Sequence, residues 1–359
     1  MKISFIIPSR NNLKYLKWCC DSIRKNQGDH TVEICVADDA STDGTWKWCQ
    51  EMMKDPNFKA IRNEGPERQG LVILNDKLID EVASHDICMV FHADMYLCPG
   101  AIDAIEKYIK PKTIVSLTRI EPPLHPEGPE KIVKDYGIEP EEFNEEELLN
   151  FLYRNEKLLG RVTEGIFAPW AFYKKEFQEI GGHDPLYAPQ SKEDSDIFNR
   201  FQLNGVHFVQ TWRGCVYHMT SRGSRFNTYS GGAPGKNSDE WLHTTTTNMK
   251  KFIKKWGTPV QHDQHMKPII SPVYKKSINI INSNPQLEEA LEIWQNDGKD
   301  IIIEVDGNNF TDQDFQVIQK LNDIIRDSGE IGEFELGNLK ITINSLKTFE
   351  KELIKCKKY

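Results

Sequence analysis

Val90-Phe91-His92-Ala93-Asp94 is the stretch on which the reading of this chain turns. Ile87 to Phe91 is a short apolar run of the kind that fills a strand buried on both faces of a parallel sheet. It ends in the polar triplet His92-Ala93-Asp94, and Pro99-Gly100 then opens a helical pattern. In an open parallel sheet, ligands bind beyond the carboxyl ends of the strands. An imidazole and a carboxylate one residue apart at such an end can face a single divalent ion. They can equally well close the strand and bond nearby backbone. The neighbouring strand ends decide between these readings.

Upstream, Ile3 to Ile7 reads as a buried strand running into Pro8-Ser9-Arg10-Asn11-Asn12. Asn12 is placed to cap a helix whose apolar positions Leu13, Leu16, Cys20 and Ile23 recur at helical spacing. Val32 to Ala37 is a second strand that ends in Asp38-Asp39, with Ser41 as the expected cap of the next helix. Phe58 to Arg62 is a third strand, and a helix from about Gln69 to Val82 leads back to the opening strand. Strands alternating with helices through short polar connections predict a doubly wound α/β arrangement. One crevice then collects three polar strand ends: Pro8-Ser9-Arg10, Asp38-Asp39 and His92-Ala93-Asp94.

Composition narrows the function classes. The chain has 359 residues, with 45 basic and 54 acidic side chains and a net charge of −9. That balance argues against a nucleic-acid binder, which needs a basic face. No apolar run approaches the ~20 residues of a membrane span. The first strand begins almost at Met1, which leaves no room for a signal peptide. The 8 cysteines show no CxxC pair or ligand-like spacing, so reduced, buried thiols in a cytoplasmic protein are expected, and not zinc.

Beyond a fifth strand, Thr113 to Leu117, the pattern changes. Glu121-Pro122-Pro123-Leu124-His125-Pro126 begins a rigid Pro-rich loop, and Asn144 with Glu147 forms a capping box for a helix. An aromatic stretch, Gly165 to Phe172, precedes Gly181-Gly182-His183-Asp184 and Glu193-Asp194. Val206 to Thr211 and Gly214 to Tyr217 read as two short strands before His218, and Trp241 to Trp256 as an amphipathic helix. Lys267 to about Tyr274 reads as a linker. Residues 275–359 are expected to form a small α/β module. Its strands are Ile278 to Ile281, Ile301 to Val305 and the alternating Leu339-Ile341-Ile343. Its helices are marked by Leu287, Leu291 and Trp294, and by Phe315, Ile318, Leu321 and Ile325, the latter capped by Thr311 and Asp314. Docking, homo-oligomerisation and acceptor presentation are open roles for that module.

Several fragments, taken in order, resemble the nucleotide-sugar-binding half of a family 2 glycosyltransferase. They are Ile6-Ile7-Pro8-Ser9-Arg10-Asn11, Ala37-Asp38-Asp39 through Asp43-Gly44-Thr45, Asn63 and Gly65 with Asn75, Ala93-Asp94, and Pro99-Gly100. The resemblance implies a GT-A fold (a Rossmann-like α/β domain) over residues 1–266, with a donor half to about 118 and an acceptor half over about 119–257. It implies an inverting enzyme that moves a sugar from a nucleoside-diphosphate sugar to a carbohydrate or glycoconjugate hydroxyl. Pro8, Arg10 and Asp39 would line the base and ribose pocket, with Asp38 in support and Asn75 on the donor side. Asp94 matches the last carboxylate of the family's Asp-x-Asp metal motif, whose first position is His92 here. Imidazole favours Mn²⁺ over Mg²⁺, and whether His92 touches the metal, the ribose or neither stays open. Leu74 departs from the family too, standing where many members carry Arg.

The later features resemble the same family's acceptor half. His218 would complete the metal or diphosphate site, a satisfied core histidine being the competing reading, and Arg222 and Arg225 would hold phosphate oxygens. Trp170 would stack on a sugar unless it fills core, and His183 and Asp184 would face the acceptor. Asp194 is the expected base. On a helix with Ile197, Phe198 and Phe201 inward, it falls on the inward face, with Asp196 directed to solvent and Glu193 beside the acceptor. A Ser191–Asp194 capping box is the competing reading. Two other function classes remain, a nucleotidyltransferase on the same nucleotide-binding fold and a non-catalytic sugar-binding module.

Overall fold

The structure is a computed structural model that describes residues 1–156, 160–220, 225–226, 228, 231–256, 259–270, 274–281, 301–306, 332–336 and 339–347. The described residues fall into two compact units. One comprises Met1–Thr246 with His262–Ile269, and the other Thr247–Gln261 with the described part of Ile270–Glu352.

The first unit is built on one mixed sheet. β1 (Lys2–Ser9), β2 (Thr31–Asp39), β3 (Phe58–Asn63) and β4 (Ile87–Val90) run parallel in the order β3-β2-β1-β4. They are linked through α1 (Leu13–Asn26), α2 (Thr45–Met52) and α3 (Gly70–Lys77). β1, β2 and β4 are buried at nearly every position because both of their faces are covered, whereas the edge strand β3 is mostly half-buried, and Phe5 meets Phe91 edge-to-face at 5.3 Å in the core.

The second half of the unit extends the same sheet. Its strands are β5 (Met95–Leu97), β6 (Thr113–Glu121), β7 (Ile132–Val133), β8 (Val162–Thr163), β9 (Trp170–Tyr173) and β10 (His207–His218). Its helices are α4 (Ala101–Tyr108), α5 (Glu145–Arg154), α6 (Lys174–Glu179), α7 (Glu193–Leu203) and the first part of α8 (Asp239–Trp256), up to Thr246. The sheet continues from β4 through β9, β6 and β10 to β5, with β9 antiparallel to both its neighbours and β6 parallel to β10. The two strands expected at 206–211 and 214–217 are one strand, whose register slips between Thr211 and Cys215. Asn144 does cap α5 by accepting from the Glu147 amide at 3.1 Å, but the reciprocal half of the expected capping box is changed: the Glu147 carboxylate accepts from the Asn144 side-chain amide, and the Asn144 backbone amide donates to the Tyr136 carbonyl.

Two expected caps are replaced. Asn12 makes no cap bond, and Asp43 Oδ2 instead accepts from the Leu13 amide at 2.9 Å. Ser41 Oγ accepts from the Asn11 amide, while Asp43 Oδ1 takes the Thr45 amide and hydroxyl at the start of α2. One carboxylate thus serves two helix starts. A cap reached through space leaves no signature at the local spacing that sequence reasoning uses.

Gly70 opens α3 with φ +75°, and a Cβ there would lie 2.2 Å from the Pro189 carbonyl oxygen. The donor-side helix and the segment before α7 therefore touch backbone to backbone. Gly70→Ala is expected to lower stability by about 2 kcal/mol, through both left-handed strain and overlap. Thermal unfolding of the variant checks this.

The second unit contains a four-stranded sheet, β12-β11-β14-β13, with β11 (Tyr274–Ile281), β12 (Ile301–Asp306), β13 (Gly332–Leu336) and β14 (Leu339–Lys347). β11 pairs parallel with β12 and antiparallel with β14. The three strands expected in this module are among them. The helices expected around Leu287–Trp294 and Phe315–Ile325, and the Thr311–Asp314 cap, lie outside the described residues.

Candidate functional site

A cleft of about 400 Å³ opens at the carboxyl ends of β1, β2 and β4 and is closed from the other side by β6 and β10. Pro8, Arg10, Asp39, His92, Asp94, His218 and Arg225 all line it, so seven of the expected site residues converge. Register explains the tightest part. β5 pairs with β10 so that His218 lies opposite Met95, beside Asp94, and β6 pairs with β10 so that Tyr217 lies opposite Ile120, bringing His218 alongside Glu121.

His92, Asp94 and His218 can each offer one ligand atom within 4.8 Å of the others. His218 Nδ1 lies 2.8 Å from Glu121 Oε1, and its Nε2 lies 3.4 Å from Asp94 Oδ1, where it makes no hydrogen bond. With Glu121 ionised, Nδ1 is the donor, and the tautomer leaves Nε2 aimed at Asp94 and the cleft. That is how a carboxylate prepares a metal-binding imidazole. Glu121 is also approached by Lys131 Nζ at 2.9 Å and by Arg119 Nε at 3.5 Å. Burial opposes its charge, but Arg119, His218 and Lys131 hold its carboxyl far below the usual range. Burial pushes the His92 imidazole down, which favours the neutral, ligating form, while for His218 burial is outweighed by Asp94 and Glu121, which raise it to about 9, so an ion binding at Nε2 must displace a proton. A satisfied core histidine would have partners on both nitrogens. His218 has one.

The cleft is electropositive in an acidic chain. Arg10, Arg68, Arg119, Lys131 and Arg225 line it against Asp39, Asp94 and Glu121, five cations to three carboxylates, a formal surplus of two. Arg225 donates from Nε to Asn237 Oδ1 at 2.6 Å and its guanidinium lies 4.4 Å from the Trp241 ring. Arg68 donates to Gln190 and to Glu240, so residues on both sides of the cleft are tied to it. Such a site suits a polyanion.

Other expected residues serve the framework. Asp38 is fully buried, accepts from the Ser41 amide at 3.2 Å and pairs with Arg62. Burial raises its carboxyl above the ordinary value. Asn75 is 2% exposed and lies off the cleft wall. Trp170 is core, fully buried against Phe172, Phe198 and Phe201 at ring distances of 4.5, 5.4 and 5.9 Å, and offers no face to a sugar. His183 is equally buried, with Nδ1 2.7 Å from Asp76, and Asp184 accepts from the Leu186 amide in the turn that follows. Arg222 lies outside the described residues.

The Glu193-Asp194 pair starts α7, presented by two consecutive left-handed residues, Ser191 (φ 77°) and Lys192 (φ 74°). Neither is glycine, and strain of this kind gathers at functional sites. The Ser191–Asp194 capping box does not form. Ser191 Oγ bonds Thr245 Oγ1 at 2.7 Å, and no side chain caps the helix. Asp194 is half-buried, and its charge reaches His92. Asp196 corrects the expected helix face. It is fully buried and accepts from Arg200 Nε at 2.7 Å, while Arg200 Nη1 donates to the Ile180 carbonyl.

Glu193 is buried, and its Oε2 has no hydrogen-bond partner. Burial, then the Asp194 charge, pushes its carboxyl up to about 8. The folded state therefore prefers the proton and the unfolded state releases it near 4.5, so stability is lost as pH rises between those values. Glu193→Gln removes that loss. Its Tm is expected to exceed wild type at pH 8 by several degrees and to match it near pH 4.5, as thermal unfolding at the two pH values checks.

Arg68, Arg119, Glu121, His125, Lys131 and Gln190 line the cleft without having been singled out from the sequence. Glu121 had a signal: β6 runs past Leu117 to a polar end, like β2 and β4.

Residues 4–181 match the model of Glycosyl transferase family 2. They form a glycosyl transferase family 2 domain. Its mixed sheet, parallel donor half and crossing acceptor strands are the GT-A fold. The chain is 31% identical over 115 residues to the abequosyltransferase RfbV of Salmonella typhimurium, an alignment covering 30% of this chain and 33% of that protein. The chain thus spans about a third of that relative's length. Among solved structures, a Pyrobaculum calidifontis mannosyltransferase with GDP-Man and Mn²⁺ is 15% identical, with a TM-score of 0.45 over 70% of this chain and 61% of that one. S. aureus TarS with UDP is 16% identical, with a TM-score of 0.43 over 60% of each chain. No helix among the described residues is long and apolar enough to cross a membrane.

Proposed function

We propose that this family 2 domain transfers a sugar from a nucleoside-diphosphate sugar to an acceptor hydroxyl, with inversion and with a divalent ion. The observation that carries the reading is the arrangement of Glu121, His218, Asp94 and His92: three ligand atoms converging in a buried cleft, with the His218 ring held at Nδ1 by one carboxylate and its Nε2, without a hydrogen bond, facing another. Asp94 and His218 would hold the ion, and His92 would complete or flank it. Two imidazoles with one carboxylate favour Mn²⁺ over Mg²⁺. Mn²⁺ accompanies the mannosyltransferase neighbour.

The bound ion would neutralise charge developing on the diphosphate. The chain's own residues do the rest. The cationic surplus and Arg225 hold phosphate oxygens, and Pro8, Arg10 and Asp39 hold the nucleoside. Asp194 takes the proton from the acceptor hydroxyl as its oxygen attacks the anomeric carbon, opposite the leaving diphosphate. The left-handed Ser191-Lys192 turn aims that carboxylate, and Glu193 holds the acceptor beside it. A carbohydrate or glycoconjugate hydroxyl is the acceptor class that the family resemblance implies, and the abequosyltransferase relative is likewise named for sugar transfer. A boundary near residues 267–274, with the C-terminal module outside the chemistry, belongs to the same proposal. So does a cytoplasmic setting, which suits the seven free, buried cysteines among the described residues.

Glu121→Gln tests the supporting carboxylate. It keeps the shape but weakens the hold on Nδ1, so Mn²⁺ affinity should fall ~10–100-fold, as for other such partners of metal-bound histidine. Calorimetric titration of Mn²⁺ into variant and wild type gives the ratio. Equal affinities would remove Glu121 from the site.

A further inference from the structure

Resting on the reading of Asp194 as the base, we propose that Asp76 is a positioning residue for the transfer reaction. By clasping His183 on the far side of α3, it sets where the Glu193-Asp194 pair stands. Two faces of α3 are occupied. Gly70, Leu71 and Leu74 line the cleft, and Asp76 does not. Asp76 lies about 200° around the helix from Leu74, facing away from the cleft towards the turn that leads to α7. Its Oδ1 lies 2.7 Å from His183 Nδ1, and the His183 amide donates to both carboxylate oxygens at 3.2 Å. His183 is 1% exposed and its Nε2 makes no hydrogen bond, so the ring spends its polar capacity on Asp76. Gly182 makes the close approach possible: it has φ +73°, and a Cβ there would lie 2.3 Å from Asp76 Oδ2.

The clasped turn is held from its other side by α7 itself. Arg200 Nη1 donates to the Ile180 carbonyl at 3.1 Å, while its Nε donates to Asp196 at 2.7 Å. Contacts therefore run from the cleft-lining helix through Asp76, the turn at 180–183 and Arg200 to the helix that begins with Glu193 and Asp194. The chain itself gives a second route. The Pro189 carbonyl accepts from the Val72 amide at 3.4 Å, Gln190 accepts from Arg68 at 2.8 Å, and the left-handed Ser191 and Lys192 come next. Non-glycine residues stay in that conformation where their surroundings hold them there. On the N-terminal side, α3 and the residues leading into it do the holding, and Asp76 adds a charge-assisted tie.

Position is what a general base contributes besides its proton affinity. A misplacement of about 1 Å caused far from the chemistry can cost ~10²-fold in rate. Asp76 lies outside the cleft lining, so its loss should appear in kcat and leave donor binding intact. Asp76→Asn keeps the side chain's size and one acceptor oxygen. It gives up the charge and turns an amide group towards the donors of His183.

The test uses the full chain with Mn²⁺, water as acceptor, and whichever of UDP-, CDP-, dTDP- and GDP-sugars the wild type cleaves fastest. In Asp76→Asn, kcat should fall ~10–100-fold with donor KM within about twofold of wild type. Gln178→Ala is the control for a merely structural tie. It removes the 3.0 Å bond from Gln178 Nε2 to Asp80 Oδ1, which joins α6 to the stretch after α3 away from the path to α7, and should leave kcat unchanged. If circular dichroism shows Asp76→Asn unfolded, His183→Phe replaces it. That change keeps an aromatic ring against Trp170 and Phe177 and loses only the ring's bond, so the same split is expected in smaller measure. A folded variant with kcat near wild type overturns the inference, as does a donor KM that rises as far as kcat falls, or an equal loss in Gln178→Ala. Asp194→Asn, run alongside, separates the two readings. Loss there with full activity in Asp76→Asn removes the clasp alone, whereas full activity in Asp194→Asn removes the base and the inference with it. Cleavage of none of the four donors by wild type overturns the donor reading beneath both.

Discussion

Asp94→Ala is expected to abolish metal-dependent binding of a nucleoside diphosphate. Asp94 is the sole carboxylate among the three converging ligand groups, and at 4% exposure it faces His218 instead of solvent. Without it, two imidazoles remain to hold a hard cation, and the donor's phosphates meet only the cations of the cleft. The fold should survive, because the side chain sits in a turn after β4 and the strand beneath is held by β1 and β9. His92→Ala should weaken the site less, or move its preference from Mn²⁺ towards Mg²⁺, since the imidazole is what favours the softer ion. Calorimetry with Mn²⁺ and then nucleotide separates the two variants. Metal-stimulated turnover at the wild-type level in Asp94→Ala would end the assignment.

Asp194→Asn is expected to reduce transfer by ~10²-fold or more while leaving donor affinity nearly unchanged, the ordinary consequence of removing a general base. The competing role of helix cap is already answered by the geometry. The helix start has no side-chain cap, and Ser191 spends its hydroxyl on Thr245. Asparagine keeps size and polarity, so a structural part would survive the change and a proton acceptor would not. Steady-state kinetics with saturating donor should show a fall in kcat and little change in donor KM. A near wild-type rate in this variant, with loss in Glu193→Gln, would transfer the role to Glu193. Asp196→Asn acts on the fold instead of the chemistry. It breaks a fully buried pair with Arg200 and should destabilise the protein by about 3 kcal/mol or more, as leaving one buried charge uncompensated does.

How far the sequence could be read depended on locality. The donor half was legible because each apolar run ends abruptly in polar residues at a strand's carboxyl end. Pro8-Ser9-Arg10, Asp38-Asp39 and His92-Ala93-Asp94 announced the crevice before any coordinate was needed. Glu121 escaped because Ser116 and Thr118 interrupt the apolar run of β6, although both are fully buried, so the strand seemed to stop early. Asp196 was assigned to solvent because only apolar residues were allowed to define the inward face of α7. A buried carboxylate with Arg four residues on shares that face just as well. Trp170 and His183 were drawn towards the acceptor by motif context, but Phe172, Phe177, Phe198 and Phe201 close around them. Aromatic clusters of that kind form between elements distant in sequence and leave no spacing to read.

The central claim is metal-dependent cleavage of a nucleoside-diphosphate sugar in the cleft of the family 2 domain. Its most direct test is to incubate the full chain with UDP-, CDP-, dTDP- and GDP-sugars, with Mn²⁺ or with EDTA, and to identify the nucleotide released. The account predicts slow release of a nucleoside diphosphate that requires Mn²⁺, stops in EDTA and is absent from Asp94→Ala. Release of a nucleoside monophosphate, or of diphosphate at the same rate in EDTA, would contradict it.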